Sequence, residues 1–228
     1  KGQKGMIPLT KPLTLPEKVY LIMQSKEYST LRMRTKHHQR FFVMGACLME
    51  LERKGKIVFG QNQKVKVIDQ EPMQIEFLDE MLQQIAEAKK EKSLNSWLRT
   101  FIVRPMKADK IYDLLIQALV EKEMVQVKKN FGFRKYVVLE SVEQQIVEEI
   151  RSEILGNGMV SYDVLVLTLL LNSLIPLKKW MTKDERKRWK KQLKELKSVH
   201  VEVWEKVKQI NQVGTSGAVA VSVVSAAT

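Results

Sequence analysis

The chain is poor in several things, and each shortage closes off a class of protein. A single cysteine, Cys47, among 228 residues leaves nothing for an intramolecular disulfide and fits a reducing compartment. Aromatic residues make up only 7 % and there are six prolines, so a sequence rich in Leu, Ile, Lys and Glu leans towards helix. Long apolar runs are missing as well. The greasiest stretch, Val164 to Ile175, carries Thr168, Asn172 and Ser173 and falls short of the ~20 apolar residues that a membrane-spanning helix needs. An integral membrane protein is therefore not expected, and neither is a collagen, a coiled-coil rod or a secreted mini-protein. No signal peptide opens the chain, and its start at Lys1 rather than Met places the natural start upstream as an expectation.

Reaction centres are missing too. No Gly-rich phosphate loop precedes a helix; Gly156-Asn157-Gly158 follows one and reads as a C-cap and turn. The sequence contains no serine nucleophile elbow, HExxH or CxxC. Cys47 sits mid-helix on an apolar stripe, as a core residue does. His37 and His38 are adjacent and cannot share one helix face as metal ligands at i, i+4 do, and His200 is remote. Neither catalysis, cofactor nor metal is expected.

What the chain has in abundance is positive charge. Its 39 Lys and Arg against 26 Asp and Glu give +13, on a globular composition of 44 % hydrophobic residues, over a length that suits one large domain or two small ones. Lys178 to Lys197 holds ten basic residues against three acids. A second cluster, Arg32, Arg34, Lys36 and Arg40 with His37 and His38, has no acid at all, whereas Asp69 to Glu91 is acidic. Such clusters attract polyanions, either nucleic acid or an anionic lipid leaflet. A solvated helix face is the plainer reading, and the spacing of the Lys178–Lys197 run suits it.

Residues 1–12 read as a flexible basic tail, and residues 13–228 as a single domain. Thr14 with Glu17 makes a capping box, and Pro16 suits a first turn, so a helix carrying Leu15, Val19, Leu21, Ile22 and Met23 starts there. It gives out into the basic stretch Ser25–Gln39. Further helices are expected over Phe41–Arg53, Ile75–Lys89, Ser93–Ile102, Ala108–Lys122, Val142–Leu155, Tyr162–Leu174 and Lys183–Gln209, followed by a small-residue tail over Gly217–Ala227. Gly45 implies a close helix contact, and Lys54-Gly55-Lys56 a helix end. Hairpins are expected at Ile57–Phe59 with Val65–Ile68, and at Met124–Val127 with Tyr136–Leu139. The carboxylates of Asp79 and Glu80 are expected in plain solvent contact on a polar helix face.

Two segments, Leu48–Ile57 and Ile116–Val125, both pass from an apolar helix through a charged turn into a strand. This helix-then-hairpin unit occurs in winged-helix DNA-binding proteins, which keeps nucleic-acid binding as an alternative. That reading needs an outward basic helix at Ala108–Lys122, where Asp109, Asp113 and Glu121 would repel phosphate; nucleic acid is thus the weaker partner.

Five segments, in order, resemble the Golgi phosphoprotein 3 family. They are Leu13-Thr14-Leu15-Pro16-Glu17-Lys18-Val19-Tyr20-Leu21, then Gly45-Ala46-Cys47-Leu48-Met49-Glu50-Leu51 running on to Ile57, then Leu78-Asp79-Glu80-Met81-Leu82, Asn95-Ser96-Trp97-Leu98 and Leu119-Val120-Glu121-Lys122. Order and spacing hold from Leu13 to about Leu139; beyond Val142 the similarity is one of helical pattern. The resemblance implies a mainly α fold: an apolar helix-bundle core ringed by amphipathic helices, with one or two short β-hairpins. It implies a non-enzymatic peripheral adaptor on the cytosolic face of the Golgi membrane, exchanging with the cytoplasm. Such a protein binds phosphatidylinositol 4-phosphate, retains glycosyltransferases by their cytoplasmic tails, and works with the COPI coat.

The family's lipid-pocket residues are a Trp after the first helix, an Arg before the matched glycine, and two Arg at the start of the later helix. Here they fall on residues 32–35 without a Trp, on Met44, and near Asp109 and Tyr112, so none is carried over. The candidate headgroup ligands are instead the basic patch Arg32, Arg34, Lys36 and Arg40, closed by Lys107 and Lys110, for phosphatidylinositol 4-phosphate or another anionic lipid. The resemblance also implies an apolar tip between Ile57 and Phe77. The loop Gly60-Gln61-Asn62-Gln63-Lys64 is polar, and Val65 and Val67 share a face, so they are expected to pack on the core. Attachment is then expected to run on charge, with shallow insertion.

Overall fold

A computed structural model describes residues 12–24, 36–130, 133–156, 158–171 and 180–225. The fold is mainly α, with nine α-helices among the described residues and two small antiparallel two-stranded sheets, as the sequence leads one to expect. The chain divides into two compact units, one of residues 1–31 and 117–200, the other of residues 32–116 and 201–228.

In the first unit, α1 (Leu15–Met23) opens on the expected box: the Glu17 carboxylate accepts hydrogen bonds from Thr14 N at 2.7 Å and Thr14 Oγ1 at 2.9 Å. Every residue of α1 is buried, Glu17 and Lys18 included. It packs against α6 (Glu140–Leu155) and α7 (Tyr162–Leu171). Residues Val164 to Leu171 are all buried, the mark of a helix apolar on every side and enclosed by its neighbours. Strands β3 (Val125–Asn130) and β4 (Phe133–Val138) form a hairpin that pairs Val125 with Val138 and Asn130 with Phe133. Helix α8 (Lys183–Val199) buries Trp189 and Leu193 and turns most of its lysines outward.

The second unit is built on α2 (Lys36–Arg53), α4 (Leu94–Val103) and α9 (Val201–Ser225), which pack on one another. Gly45 lies where α2 meets α9: an added Cβ would stand 2.8 Å from Ile210 Cγ2, so only glycine admits that approach. Gly55, at φ 71°, ends α2 in the left-handed conformation. Strands β1 (Ile57–Phe59) and β2 (Val65–Val67) pair in the expected hairpin. Val65 is buried, Val67 half-buried and the tip polar. Helix α3 (Glu76–Ala86) follows and packs on β2 and α2. Helix α5 (Pro105–Glu121) has its first twelve residues in this unit and its last five in the first.

Several boundaries differ from the sequence expectation; the second hairpin, for one, runs three residues further towards its turn on each strand, to Asn130 and from Phe133. Helix α2 begins at Lys36 rather than Phe41, inside the stretch read as basic coil, because the polar first turn precedes the buried rows and shows no apolar period. Helix α5 begins at Pro105 rather than Ala108; proline is acceptable in a first turn, where its missing N–H is not needed. The basic helix expected over Lys183–Gln209 is two helices. His200 leaves helical geometry (φ −109°, ψ 56°), and it lies where the chain passes from one unit to the other. No glycine or proline marks that break. The small-residue tail Gly217–Ala227 is helical as far as Ser225, because extending an existing helix needs no new nucleus.

Candidate functional site

Three of the candidate cations, Arg40, Lys107 and Lys110, lie near the starts of α2 and α5, some seventy residues apart in sequence and both in the second unit. Arg40 on α2 reaches Asp109 on α5, with Nη1 to Oδ1 at 2.5 Å, and its guanidinium stacks 5.5 Å from the Tyr112 ring centre. The Tyr112 hydroxyl donates to Gln39 Oε1 at 3.4 Å. Asp109 and Tyr112 are three residues apart and therefore share one face of α5. The two positions at which the family resemblance places arginines thus serve here as partners for an arginine of α2.

Lys107 and Lys110 share a different face. Lys110 Nζ is 2.6 Å from Glu80 Oε2 on α3, and the Lys107 carbonyl accepts from Gln84 Nε2 at 3.3 Å. Burial of Glu80 pushes its carboxyl up, but hydrogen bonds from Lys110 and Gln84 outweigh this and hold it below the ordinary value. Asp79 accepts from the backbone amides of Met73 at 2.8 Å and Ile75 at 3.1 Å, closing the entry to α3. The expectation of plain solvent contact for Asp79 and Glu80 is therefore corrected. One carboxylate caps a helix entry and the other neutralises a candidate ligand, because tertiary contact places α5 against the face that α3 alone would expose.

Of the six sequence candidates, Arg32 and Arg34 lie outside the described residues, and Lys36 falls in the first turn of α2. Arg40 and Lys110 each hold a carboxylate, while Lys107 is exposed with no ion pair among the described residues. Two further cations, Arg99 near the end of α4 and Arg104 between α4 and α5, are exposed and likewise without an ion pair there. Sequence reasoning passed over both. The available signal was helical spacing: burying Leu94, Trp97, Leu98 and Phe101 turns Arg99, Ile102 and Val103 outward.

Beside these residues a cavity of about 110 Å³ is lined by Arg40, Phe41, Met44, Phe101, Ile102, Pro105 and Ala108, apolar apart from the arginine. A larger one, about 590 Å³, opens along α3 with Glu76, Asp79, Glu80 and Glu87 on its wall, so its field repels an anionic ligand. Among the described residues no group of His, Cys, Asp and Glu has a metal-binding arrangement. Nor is any helix among them long and apolar enough to cross a membrane. Cys47 is buried in α2 and forms no disulfide.

A family model described as Golgi phosphoprotein 3 (GPP34) matches residues 15–213. No curated protein matches the chain.

Proposed function

The chain belongs to the Golgi phosphoprotein 3 family, and on that footing we propose that it is a non-enzymatic peripheral adaptor on the cytosolic face of the Golgi membrane. It binds phosphatidylinositol 4-phosphate or another anionic lipid through the basic patch at the starts of α2 and α5, and helps retain glycosyltransferases with the COPI coat. The observation that carries this reading is that Arg40, Lys107 and Lys110 lie in one unit near the starts of α2 and α5, with Lys107, Arg104 and Arg99 exposed and without an ion pair among the described residues. Arg32, Arg34 and Lys36 precede Arg40 in the chain, the first two outside the described residues.

Each Lys or Arg near an anionic surface contributes about 1 kcal/mol, so four to six hold the protein reversibly. Arg40 and Lys110 must each exchange a carboxylate, Asp109 and Glu80, for phosphate. Binding of this kind weakens when salt screens exposed charge.

The test is localisation of the tagged protein before and after depletion of Golgi phosphatidylinositol 4-phosphate, together with flotation on vesicles with and without that lipid. Golgi staining that disperses on depletion supports the reading. Nuclear staining overturns it, and equal flotation on every anionic vesicle removes headgroup specificity while leaving the charged patch.

A further inference from the structure

Between α4 and α5 the chain turns a corner whose side chains are apolar and face water. Ile102 is 37 % exposed, Val103 77 % and Met106 84 %, with exposed Pro105 between them. Scattered apolar residues on a surface need no explanation, but three within five positions at one corner are a patch. Neither helix has core left to offer there. The buried row of α4 ends at Phe101 and that of α5 begins at Ala108.

The corner is also collared by positive charge. Arg104 stands in it, Arg99 lies one turn before Val103, and Lys107 and Lys110 lie within one turn after Met106. Leu94 through Ala108 contains no carboxylate. One helical turn is about 5 Å, so Arg99 and Lys110 sit about that far behind the apolar tip. The arrangement matches the depth profile of an anionic bilayer. Apolar side chains enter about 5–10 Å at the boundary of headgroups and acyl chains, and long cationic side chains reach back to the phosphates.

We propose that the α4–α5 corner is a membrane-inserting wedge for an anionic lipid surface, with Val103 and Met106 entering the bilayer and Arg99, Arg104 and Lys107 resting on its phosphates. This rests on the lipid-binding reading above and moves the apolar anchor away from the β1–β2 hairpin, whose tip is polar. It also makes attachment only partly electrostatic, since buried apolar area is not screened by salt.

The test compares wild type with the Val103→Asp/Met106→Asp double variant on vesicles of phosphatidylcholine containing roughly one third phosphatidylserine, an anionic cytosolic-leaflet lipid. Both positions are open, so the double variant keeps its core. It should bind at least about tenfold more weakly, whereas Val103→Trp should bind more tightly, because burying apolar area is what each change removes or adds. A polarity-sensitive dye on Val103→Cys should report a less polar environment when vesicles are added, with Cys47 buried and unlabelled. If wild type binds these vesicles and the double variant binds as well, with the dye unchanged, the wedge is overturned while the lipid-binding reading stands. If wild type binds no anionic vesicle, both fall. If the double variant instead abolishes a self-association seen by sedimentation without vesicles, the corner joins two copies and the wedge is overturned.

Discussion

In the first unit, Glu17 and Lys18 stand side by side in α1 with almost no exposure, and each is met by opposite charge. Lys122 Nζ donates to both Glu17 oxygens at 2.7 and 2.8 Å, while Lys18 Nζ lies 2.6 Å from Glu149 and 3.5 Å from Asp163. In the second unit Glu50 is enclosed as fully, with Arg53 at 2.5 Å, and Lys206 is closed in with Glu52 at 2.5 Å, but Lys107 and Lys110 on α5 are exposed. Lys110 is 64 % exposed at its side chain even while it holds Glu80. Gly45 meanwhile lets two apolar helices touch. A buried pair fixes one arrangement, since separating it strands a charge away from water. Open cations stabilise little and stay available to a ligand. Two sets of basic residues therefore differ in kind. On α8 the lysines surround a seated Trp189, while at the α4–α5 corner the arginines flank the exposed Val103 and Met106.

The largest effect should come from breaking a buried pair of the first unit. Lys122→Met leaves the Glu17 carboxylate enclosed without its cation and should cost about 3–5 kcal/mol in urea unfolding. Adding Glu17→Gln should restore a large part of it. A loss below about 1 kcal/mol would place this pair with the surface pairs and erase the contrast.

Shape should matter next, in the second unit. Gly45→Ala drives a Cβ to within 2.8 Å of Ile210 and should cost about 1–3 kcal/mol. In that background Ile210→Ala should cost less than it does in the wild type, because it clears the clash; strictly additive midpoints would show that the contact is not tight.

Removing the half-open pair of Lys110 and Glu80 should be felt less in folding than in binding. Glu80→Gln should change stability by less than about 1 kcal/mol, because Lys110 rehydrates freely. The same change frees Lys110 and should strengthen flotation on anionic vesicles. Unchanged flotation would mean that Lys110 does not face the membrane.

The smallest effect is a pH dependence at the rim of the first unit. Glu185 accepts from Thr182 N at 2.8 Å and from Arg151 Nη2 at 2.6 Å, and these bonds, the backbone one foremost, pull its carboxyl from 4.5 to about 2. A carboxyl lowered on folding stabilises fully above its ordinary value and loses that contribution as pH falls from 4.5 towards 2. The difference in urea midpoint between wild type and Glu185→Gln should therefore shrink over that window. A constant difference would show that the capping contact works without its charge.

Local chemistry accounts for what could be read in advance. The box of Thr14 and Glu17, the mostly apolar row Val164–Leu171, the α2 stop at Gly55 and both hairpins each depend on neighbours in sequence, so composition and period sufficed. The cation candidates Arg40, Lys107 and Lys110 were visible as residues, but their states were not. Whether a lysine is spare or spoken for depends on which carboxylate a distant helix brings up, and Asp109 and Glu80 arrive from α5 and α3 only by packing.

The sequence by itself determined a mainly helical chain with a basic surplus, one buried thiol and the pattern of the Golgi phosphoprotein 3 family, because propensity, periodicity and order are properties of the string. Only the tertiary structure decided that one basic run breaks at His200 between two units, that Lys110 is paired and Lys107 free of an ion pair among the described residues, and that Val103 and Met106 face outward. Those outcomes turn on which surfaces find partners, and burial and charge pairing are settled between segments far apart in the chain.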